Sequence, residues 1–481
     1  MKTNKIVKNS IIFSIFSFLV NGINFILIPL FTKYLSVEEY GIVASVTISI
    51  TFFTAFFTFG LNGAFSRIYF EIDDPNEKLS LLNTSFFTNI ILAAVITGII
   101  LFTNGLFLDH VFKSVKYEPL LKYSIFISFF NIFSIAQLSY LLVKGEALKY
   151  RIVTSAYFIL NTLFTIVNLS IFKMGIIGIL KSQIYSNLIL SIYYVLTTVK
   201  VSNKLFNVKY SIKLLSFGIP IMFYTIFGML IDQSSKYFVE RYLSLKDLGI
   251  YNLAYQFSSI ITLINSAINM AWVPIYFEES KVDENSEKFR TFSKYIFQIV
   301  SLIALCISVY HKYILKILIN KNYENATIFI PIFIYIFVLS NTYWILFINP
   351  IFQAKKTKYL PFIALISGLV SIFICILFIP RFGIYGAMFS VLFGYLIMNF
   401  CGYLVVNKFL KLRYDHLKLF SIYILSLVFF LISILLTNKS IFIEILLKSF
   451  LVLIYLRVVF YFKFFDLDEL KLLRKKNNYN F

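Results

Sequence analysis

IDQSSKYFVERYLSLKDLGI, residues Ile231–Ile250, places the densest group of charges in the chain inside an otherwise apolar span. Its last nine residues, YLSLKDLGI, have a counterpart in YLSVEEYGI at Tyr34–Ile42. Tyr, Leu, Ser, Gly and Ile stand at the same five of the nine places, 208 residues apart. The stretch therefore indicates two properties together: charged side chains within an apolar span, and an internal duplication.

The composition is that of a membrane protein. Of the 481 residues, 59% are hydrophobic and 14% charged, and the mean hydropathy is +0.83, which is incompatible with a water-soluble chain of this length. A helix needs about 20 mainly apolar residues to cross the hydrocarbon layer. Fourteen such runs lie near residues 10–31, 41–63, 84–106, 120–143, 152–172, 175–199, 214–235, 248–276, 295–311, 326–351, 359–380, 383–407, 419–437 and 441–462.

The form of these runs favours helices that stay in the mature chain. They are continuously apolar rather than alternating, which argues against a transmembrane barrel. The first run is longer than the apolar region of a signal peptide, and no small-residue cleavage pattern follows it. We therefore predict an all-α polytopic membrane protein with about 14 transmembrane helices.

The positions of Lys and Arg determine the predicted topology. With the N-terminus in the cytoplasm, 28 of the 44 basic residues fall in inner segments and 13 in outer loops. Both termini are therefore predicted to be cytoplasmic. This asymmetry and contact with anionic lipid explain the net charge of +21. Nucleic-acid binding is excluded, because no soluble basic face with stacking aromatic side chains is predicted.

Three further pairs of strings support the duplication at nearly the same offset. IYFE occurs at Ile68–Glu71 and again at Ile275–Glu278, 207 residues later. KMGIIG at Lys173–Gly178 matches RFGIYG at Arg381–Gly386, 208 residues later, and a short YE recurs at an offset of 206. Because these matches keep the same order, we infer that helices one to six and seven to twelve are two copies of one unit.

The number of helices in the repeated unit fixes its orientation. Six crossings return the chain to its starting side, so the two copies are parallel and not inverted. We predict an N-terminal six-helix lobe at residues 1–208, a C-terminal six-helix lobe at 209–416, and two extra helices with a basic cytoplasmic tail at 417–481. Substrate sites in transporters of this kind lie between the lobes near the bilayer midplane.

Motifs of enzymes and metal sites are absent from the sequence. It contains no GxxxxGK[ST] and no dinucleotide-binding fingerprint, which argues against ATP hydrolysis by this chain. The cysteines and histidines stand singly, without the close spacing of a zinc site. They are Cys306, Cys375, Cys401, His110, His311 and His416. We therefore predict no catalytic residue, no metal site and no cofactor.

Ionised side chains at membrane depth are costly, and they usually face a cavity or a partner. Asp232 and Lys236 have i, i+4 spacing in helix seven, with the acid first. They either line a substrate path or form a local ion pair that only anchors the helix. Lys181 in helix six is expected at a similar depth and has no partner nearby in the sequence. Arg67 ends helix two on the cytoplasmic side, where topology alone favours an Arg.

Uncharged polar residues extend the candidate site. Asn24 in helix one, Gln183 in helix six and Gln256 in helix eight are amides within apolar runs. Shifted by 208 residues, Asn24 falls on Asp232, so both lobes place a polar group at that level. Such amides either bond neighbouring helices or line a cavity that offers donors and acceptors to sugar hydroxyls.

The order of motifs resembles one known family. An Asn-rich first helix, the string IPLFTKYLSVEEYG and a second helix ending in GLNGAFSR are similar to the Wzx-type polysaccharide flippases. These belong to the multidrug/oligosaccharidyl-lipid/polysaccharide exporter superfamily. YLSLKDLGIYN and RFGIYGA fit the same pattern, so the resemblance spans essentially the whole chain. It implies two MATE-like six-helix lobes around a central cavity, with two extra helices at the C-terminus.

The resemblance also implies a function. Flippases of this type translocate undecaprenyl-pyrophosphate-linked oligosaccharide units to the outer leaflet of the bacterial cytoplasmic membrane. The headgroup needs a hydrated cationic cavity, in which Lys181, Lys236 and Arg67 are candidates to pair with phosphate. The expected partners are the lipid-linked oligosaccharide, the bilayer and polysaccharide polymerase machinery. Coupling to a proton or sodium gradient stays open, with Asp232 as the candidate carrier.

Other functions remain open from the sequence. A multidrug antiporter would share the architecture, and a peptidoglycan-precursor flippase would share the mechanism. An integral membrane glycan polymerase would need a large outer loop with catalytic residues, and no such loop is predicted. A membrane scaffold would not need Asp232, Lys236 and Lys181 within its apolar runs.

Overall fold

The chain folds as a bundle of membrane-spanning helices. The computed structural model describes residues 25, 27–103, 105–106, 108–112, 115–199, 206–279, 287–410, 416–436 and 440–462. In these residues the regular secondary structure is helical and no strand occurs. Eleven helices in this part of the chain are long and apolar enough to cross a bilayer. The prediction of an all-α polytopic membrane protein is confirmed.

We number the membrane helices α1 to α14 in chain order. The end of α1 is described at 27–34. The eleven long helices are α2 (Val37–Tyr69), α3 (Pro75–Phe102), α4 (Tyr117–Val143), α5 (Leu148–Ile171), α6 (Gly175–Thr198), α7 (Val208–Tyr242), α9 (Ser293–Leu318), α10 (Ile330–Gln353), α11 (Thr357–Phe382), α12 (Ile384–Phe409) and α13 (Lys418–Leu435). Two segments, Leu245–Ser258 and Ile260–Glu279, form α8, and Ile441–Tyr461 forms α14.

The predicted count of 14 crossings stays a prediction at three places. Most of the first apolar run lies outside the described residues. The eighth run is divided where its two helical segments meet at Ser259. The fourteenth forms a 21-residue helix that carries Glu444, Lys448 and Arg457. In α14 the Lys448 ammonium lies 2.5 Å from a Glu444 carboxylate oxygen, so two of these charges are paired inside the helix.

The duplicated string of the sequence is the start of a helix in each lobe. Ser36 precedes α2, and its hydroxyl accepts from Glu39 N at 3.1 Å while Ser36 N donates to the Glu39 carboxylate at 2.7 Å. Ser244 precedes α8 in the same way and accepts from Asp247 N at 3.1 Å. The pattern Ser-x-x-acid satisfies free N–H groups at a helix start. The repeated strings YLSVEEYGI and YLSLKDLGI thus mark the start of an equivalent helix in each lobe.

A break divides α2 near its last third. Phe59 and Gly60 have φ values of 46° and 64°, which lie in the left-handed region. At this break Gly60 meets α7, where a Cβ on Gly60 would lie 2.2 Å from Gly218 O. A side chain at either glycine would therefore force the two helices apart.

The helices pack mainly with members of their own predicted lobe. In the first lobe α4 contacts α3 and α6, and in the second α11 contacts α12 and α7. α13 packs on α9, and α14 follows beside it. Contacts between the lobes are made chiefly by α2, which meets both α7 and α8. The lobe boundaries at residues 208 and 416 stay predictions.

Candidate functional site

The candidate site lies where the two lobes meet, between α2, α7, α8 and α12. We call the end at which α2 and α8 begin the outer end and the opposite end the inner end, following the predicted topology. Contacts between the lobes occur at both ends, and the charged residues of α7 lie between them.

At the outer end, two equivalent glycines meet. A Cβ on Gly41 would lie 1.8 Å from Leu245 O, and a Cβ on Gly249 would lie 2.1 Å from Val37 O. Gly41 and Val37 are separated from Gly249 and Leu245 by the same offset of 208 residues. The contact is therefore reciprocal: Gly41 meets Leu245, the counterpart of Val37, and Gly249, the counterpart of Gly41, meets Val37, as expected at a twofold interface. Only glycine allows the backbones to approach this closely.

Side chains around the glycines hold the outer end together. The Tyr40 hydroxyl donates to Gln256 Oε1 at 2.6 Å, and the Ser45 hydroxyl donates to the buried Glu240 carboxylate. Tyr323, in the connection between α9 and α10, donates to Leu35 O at 3.1 Å and to Ser36 O at 2.8 Å. These bonds join residues from opposite lobes, so the outer end is closed along α2 and α8.

At the inner end, an ion network joins α2 to α7. Arg67 Nε lies 3.5 Å from one Glu71 carboxylate oxygen, and Lys213 Nζ lies 2.8 Å from the other. The Arg67 guanidinium also stacks 4.1 Å above the ring centre of Phe217. The hydrogen bond from Lys213 and, less strongly, the neighbouring Arg67 hold the pKa of Glu71 below its usual value. Arg67 thus contacts the other lobe instead of standing alone.

Polar contacts with α3 continue the inner closure. The Tyr210 hydroxyl donates to Glu77 at 2.9 Å, and the Thr88 hydroxyl donates to Ser211 Oγ at 3.0 Å. With the Gly60–Gly218 approach, these bonds hold the start of α7 against the first lobe. The two lobes are therefore in contact at both the outer and the inner end of the joint between them.

Asp232 lies between these ends, past the middle of α7 on the outer side. The Tyr395 hydroxyl of α12 donates to both carboxylate oxygens, at 2.9 and 3.1 Å. The Tyr255 hydroxyl of α8 lies near the same carboxylate. Asp232 is only half-buried. The carboxylate is thus bound by α12, a helix of its own lobe.

Lys236 lies one turn beyond Asp232 on the same side of α7. Its ammonium is 4.1 Å above the ring centre of Tyr255, a cation–π geometry. One turn before Asp232, Gly228 is exposed, and a Cβ built there would meet nothing within 4 Å. This face of α7 therefore combines a charged pair with open space.

α8 carries a polar face that runs along most of its length. Its members recur every three or four residues, the spacing of one helix face. They are Asn252, Gln256, Ser259, Thr262 and Ser266, all half-buried or exposed. On α2, Thr47 and Thr51 lie two and three turns below Tyr40, the residue that bonds Gln256 of α8. Amide and hydroxyl groups therefore line facing helices of the two lobes below the outer closure.

The structure brings together some of the residues predicted from the sequence and leaves others apart. Gln256 bonds across the joint between the lobes, and Arg67 lies at its inner end. Asp232 and Lys236 lie on the α7 face that continues to Glu240, which accepts from Ser45 of the other lobe, while their own contacts are with Tyr395 and Tyr255. Asn24 lies outside the described residues.

Lys181 and Gln183 are half-buried on α6. Lys181 shares its α6 face with Ile177, Tyr185 and Leu188, which are 37%, 45% and 40% exposed. Within the described residues it has no ion pair or hydrogen bond. Its contact with substrate stays a prediction.

Sequence reasoning did not find Tyr255 and Tyr395. The chain has 33 tyrosines, and nothing in one sequence distinguishes the two that reach Asp232. Their positions follow from the packing of α8 and α12 against α7, which is a tertiary property. The polar face of α8, in contrast, could have been predicted from the sequence, because Ser259, Thr262 and Ser266 continue the spacing of Asn252 and Gln256.

Known proteins share this fold and sequence pattern. Residues 6–280 match the family model described as polysaccharide biosynthesis protein. A protein of the Lsg locus of Haemophilus influenzae is 22% identical over 402 residues, covering 80% of this chain and 96% of the relative.

Solved structures agree at the level of the fold. The lipid II flippase MurJ in an inward closed conformation has a TM-score of 0.71 at 16% identity, covering 94% of this chain and 99% of MurJ. An inward-facing multidrug resistance MATE family transporter of the MOP superfamily has a TM-score of 0.65 at 13% identity, covering 83% and 94%. The fold is thus that of MOP-superfamily transporters, as the resemblance implied. Because the family model covers more than half of its residues, this chain belongs to the polysaccharide biosynthesis protein family.

Proposed function

We propose that this protein flips undecaprenyl-pyrophosphate-linked oligosaccharide units from the inner to the outer leaflet of the bacterial cytoplasmic membrane, for surface polysaccharide synthesis. One observation carries the proposal: Asp232 and Lys236 of α7 and the polar face of α8 occur within apolar helices, between the outer and inner contacts that join the lobes. The family and the fold of the solved neighbours support a transporter of the flippase type.

The chemistry of the headgroup explains why such a joint is needed. A pyrophosphate and its sugars are too strongly hydrated to enter hydrocarbon. Lys236 supplies a cation for phosphate oxygens, and the amides and hydroxyls of α8 and α2 supply partners for sugar hydroxyls. The lipid tail stays in the bilayer, because its burial there is already favourable.

Movement would occur by rocking one lobe against the other. The outer closure at Gly41 and Gly249 and the inner closure at Glu71 would then open in turn. Lys236 and Asp232 lie between these closures, where a headgroup would be held during the change. In this scheme Arg67 acts at the inner closure, and phosphate would reach it on entry.

Several further properties belong to the same proposal. Both termini are cytoplasmic, no prosthetic group is needed, and polysaccharide polymerase machinery is a partner. Transport is driven by a proton or sodium gradient, with Asp232 as the carrier. Asp232 is half-buried and its carboxylate accepts from the Tyr395 hydroxyl rather than from an ion-pair partner, so it could exchange a cation without breaking an ion pair.

A transport assay tests the proposal. The purified protein is reconstituted into vesicles with a fluorescent undecaprenyl-diphosphate-linked oligosaccharide, and outward movement is followed by quenching with an impermeant reagent. Lys236→Gln should abolish movement while leaving protein levels unchanged. Lys316→Gln, at an exposed lysine of α9, is the matched control and should transport normally. Normal movement in Lys236→Gln would contradict the role of this residue.

A multidrug exporter is the second candidate, because solved MATE transporters have the same fold. The assay distinguishes the two functions when a cationic dye replaces the lipid-linked glycan. Lys236 would repel such a dye, since like charges in a site of low dielectric constant interact strongly. Dye export without glycan movement would favour the multidrug exporter.

A further inference from the structure

The spacing of Asp232 and Lys236 raises a problem for anion binding. An acid and a lysine at i, i+4 on one helix face attract each other. If Asp232 took Lys236 as its partner, the ammonium would be neutralised and would have little affinity for a phosphate. A site that uses Lys236 therefore needs something else to hold the carboxylate.

The structure provides other partners for the carboxylate. Tyr395 donates to both oxygens of Asp232, at 2.9 and 3.1 Å, and the Tyr255 hydroxyl lies nearby. The two tyrosines come from α12 and α8, so the carboxylate has a tyrosine on two sides. A carboxylate has about four acceptor positions, and hydrogen bonds to a charged acceptor are among the strong ones.

The same arrangement positions the ammonium. Lys236 Nζ lies 4.1 Å above the ring of Tyr255, whose hydroxyl lies near Asp232. A cation held on a ring face keeps its N–H groups free on the opposite side. Tyr255 thus lies beside both residues, and Asp232 and Lys236, although they attract each other, form no direct ion pair.

We propose that Tyr395 and Tyr255 are positioning residues that hold the Asp232 carboxylate, so that the Lys236 ammonium stays available to the diphosphate of the transported lipid. This inference rests on the proposed function. Neither tyrosine is required to contact the substrate; both act through Asp232 and Lys236. If Tyr395 loses its hydroxyl, Asp232 turns to Lys236 and competes with the ligand.

Removal of the competitor should therefore rescue the loss. Tyr395→Phe should weaken ligand binding, and Tyr395→Phe combined with Asp232→Asn should restore it, because the asparagine has no charge to neutralise Lys236. A purely structural role for Tyr395 predicts the opposite, since the double variant would lose two hydrogen-bonding groups and bind no better. The rescue separates the two explanations.

Equilibrium binding to the detergent-solubilised full-length protein tests the inference. The probe is radiolabelled undecaprenyl diphosphate, with undecaprenol as the neutral comparison. Tyr395→Phe should weaken diphosphate binding about 10- to 100-fold, the equivalent of one or two charged hydrogen bonds. The double variant should recover most of this loss, and undecaprenol binding should change in neither. Tyr335→Phe is the matched control, because it removes another buried hydroxyl, which donates to Ser426 O at 2.8 Å.

The outcomes are distinct. Wild-type binding with no change in Tyr395→Phe, or with no recovery in the double variant, would overturn the positioning role alone. No binding of the diphosphate by the wild-type protein would overturn the proposed function and this inference with it. Thermal unfolding of each variant shows whether it is folded. Should Tyr395→Phe not fold, Tyr255→Phe makes the same test, with the same recovery expected from Asp232→Asn.

Discussion

Replacing Gly41 with alanine should open the outer end of the protein. The added Cβ would lie 1.8 Å from Leu245 O, whereas ordinary contact begins at 3.4 Å, so α2 and α8 must separate by about 1.6 Å. The same movement stretches the bond of 2.6 Å between Tyr40 and Gln256 to beyond 3.5 Å, where it no longer counts as a hydrogen bond. A methyl group is therefore enough to break the closure at two places.

The energies favour opening over local adjustment. Overpacking by one methyl typically costs about 1–3 kcal/mol, and loss of the Tyr40 bond adds about 0.5–1.5 kcal/mol. Alanine also gains up to about 1 kcal/mol of helix propensity, but α2 is helical in the closed and the open state, so this gain cancels between them. The net loss falls on the closed state alone, so the equilibrium shifts towards an open outer end.

Accessibility of a cysteine measures this shift. Thr47 lies two turns below Tyr40 on α2, and Thr47→Cys is placed in a variant lacking the three native cysteines. An impermeant maleimide added outside intact cells should label it slowly in the parent and several-fold faster with Gly41→Ala. Gly98→Ala is the control, because a Cβ there meets nothing within 4 Å. Equal labelling in the Gly41 and Gly98 variants would refute the outer closure.

Three further changes test other parts of the structure. Tyr323→Phe removes the hydroxyl proton shared by Leu35 O and Ser36 O, about 0.5–1.5 kcal/mol in all, and should also speed outside labelling of Thr47→Cys. Glu71→Gln removes both ion pairs at the inner end and should increase labelling of a cysteine at Ser211 in inside-out vesicles. Because the pKa of Glu71 is lowered by its partners, the contact is present at neutral pH and lost as the pH falls through that lowered value, so the wild-type protein should approach the variant in acid. Lys448→Met leaves Glu444 without this buried partner and should cost about 3–5 kcal/mol, seen as a lower Tm in detergent, whereas the double variant with Glu444→Met should lose less.

The sequence was sufficient for most of the fold. Long apolar runs and the distribution of charges predicted a polytopic helical protein, because every backbone group must be bonded within the bilayer and helices achieve this locally. The break in α2 was not predicted, since Phe59 lies within a continuous apolar run. It depends on the approach of Gly60 to Gly218, a contact between segments far apart in the chain.

The candidate site was predictable only where its chemistry is unusual for a membrane. Asp232 and Lys236 were found because charges are rare in apolar spans. Tyr255 and Tyr395 were not predicted, because tyrosine is common in this chain. Their role depends on which residue each hydroxyl approaches in the folded protein. Arg67 was correctly placed at a helix end, but its contact with Glu71 and Phe217 required the packing of α2 on α7.

The repeated strings also explain why the two lobes are not chemically identical. At the outer closure the two lobes have the same residue, because Gly41 and Gly249 each lie against the backbone of the other lobe. A side chain at either position would disrupt the contact, and the remaining glycine would not compensate for it. Between the closures this restriction is absent, and the position of Asp232 corresponds to Asn24 in the first lobe. A carboxylate in both lobes would place two negative charges near the path of an anionic headgroup, which repulsion at low dielectric constant disfavours. The symmetry of the closure, on α2 and α8, and the asymmetry of the charges, on α7 and the first helix, therefore follow from different physical requirements.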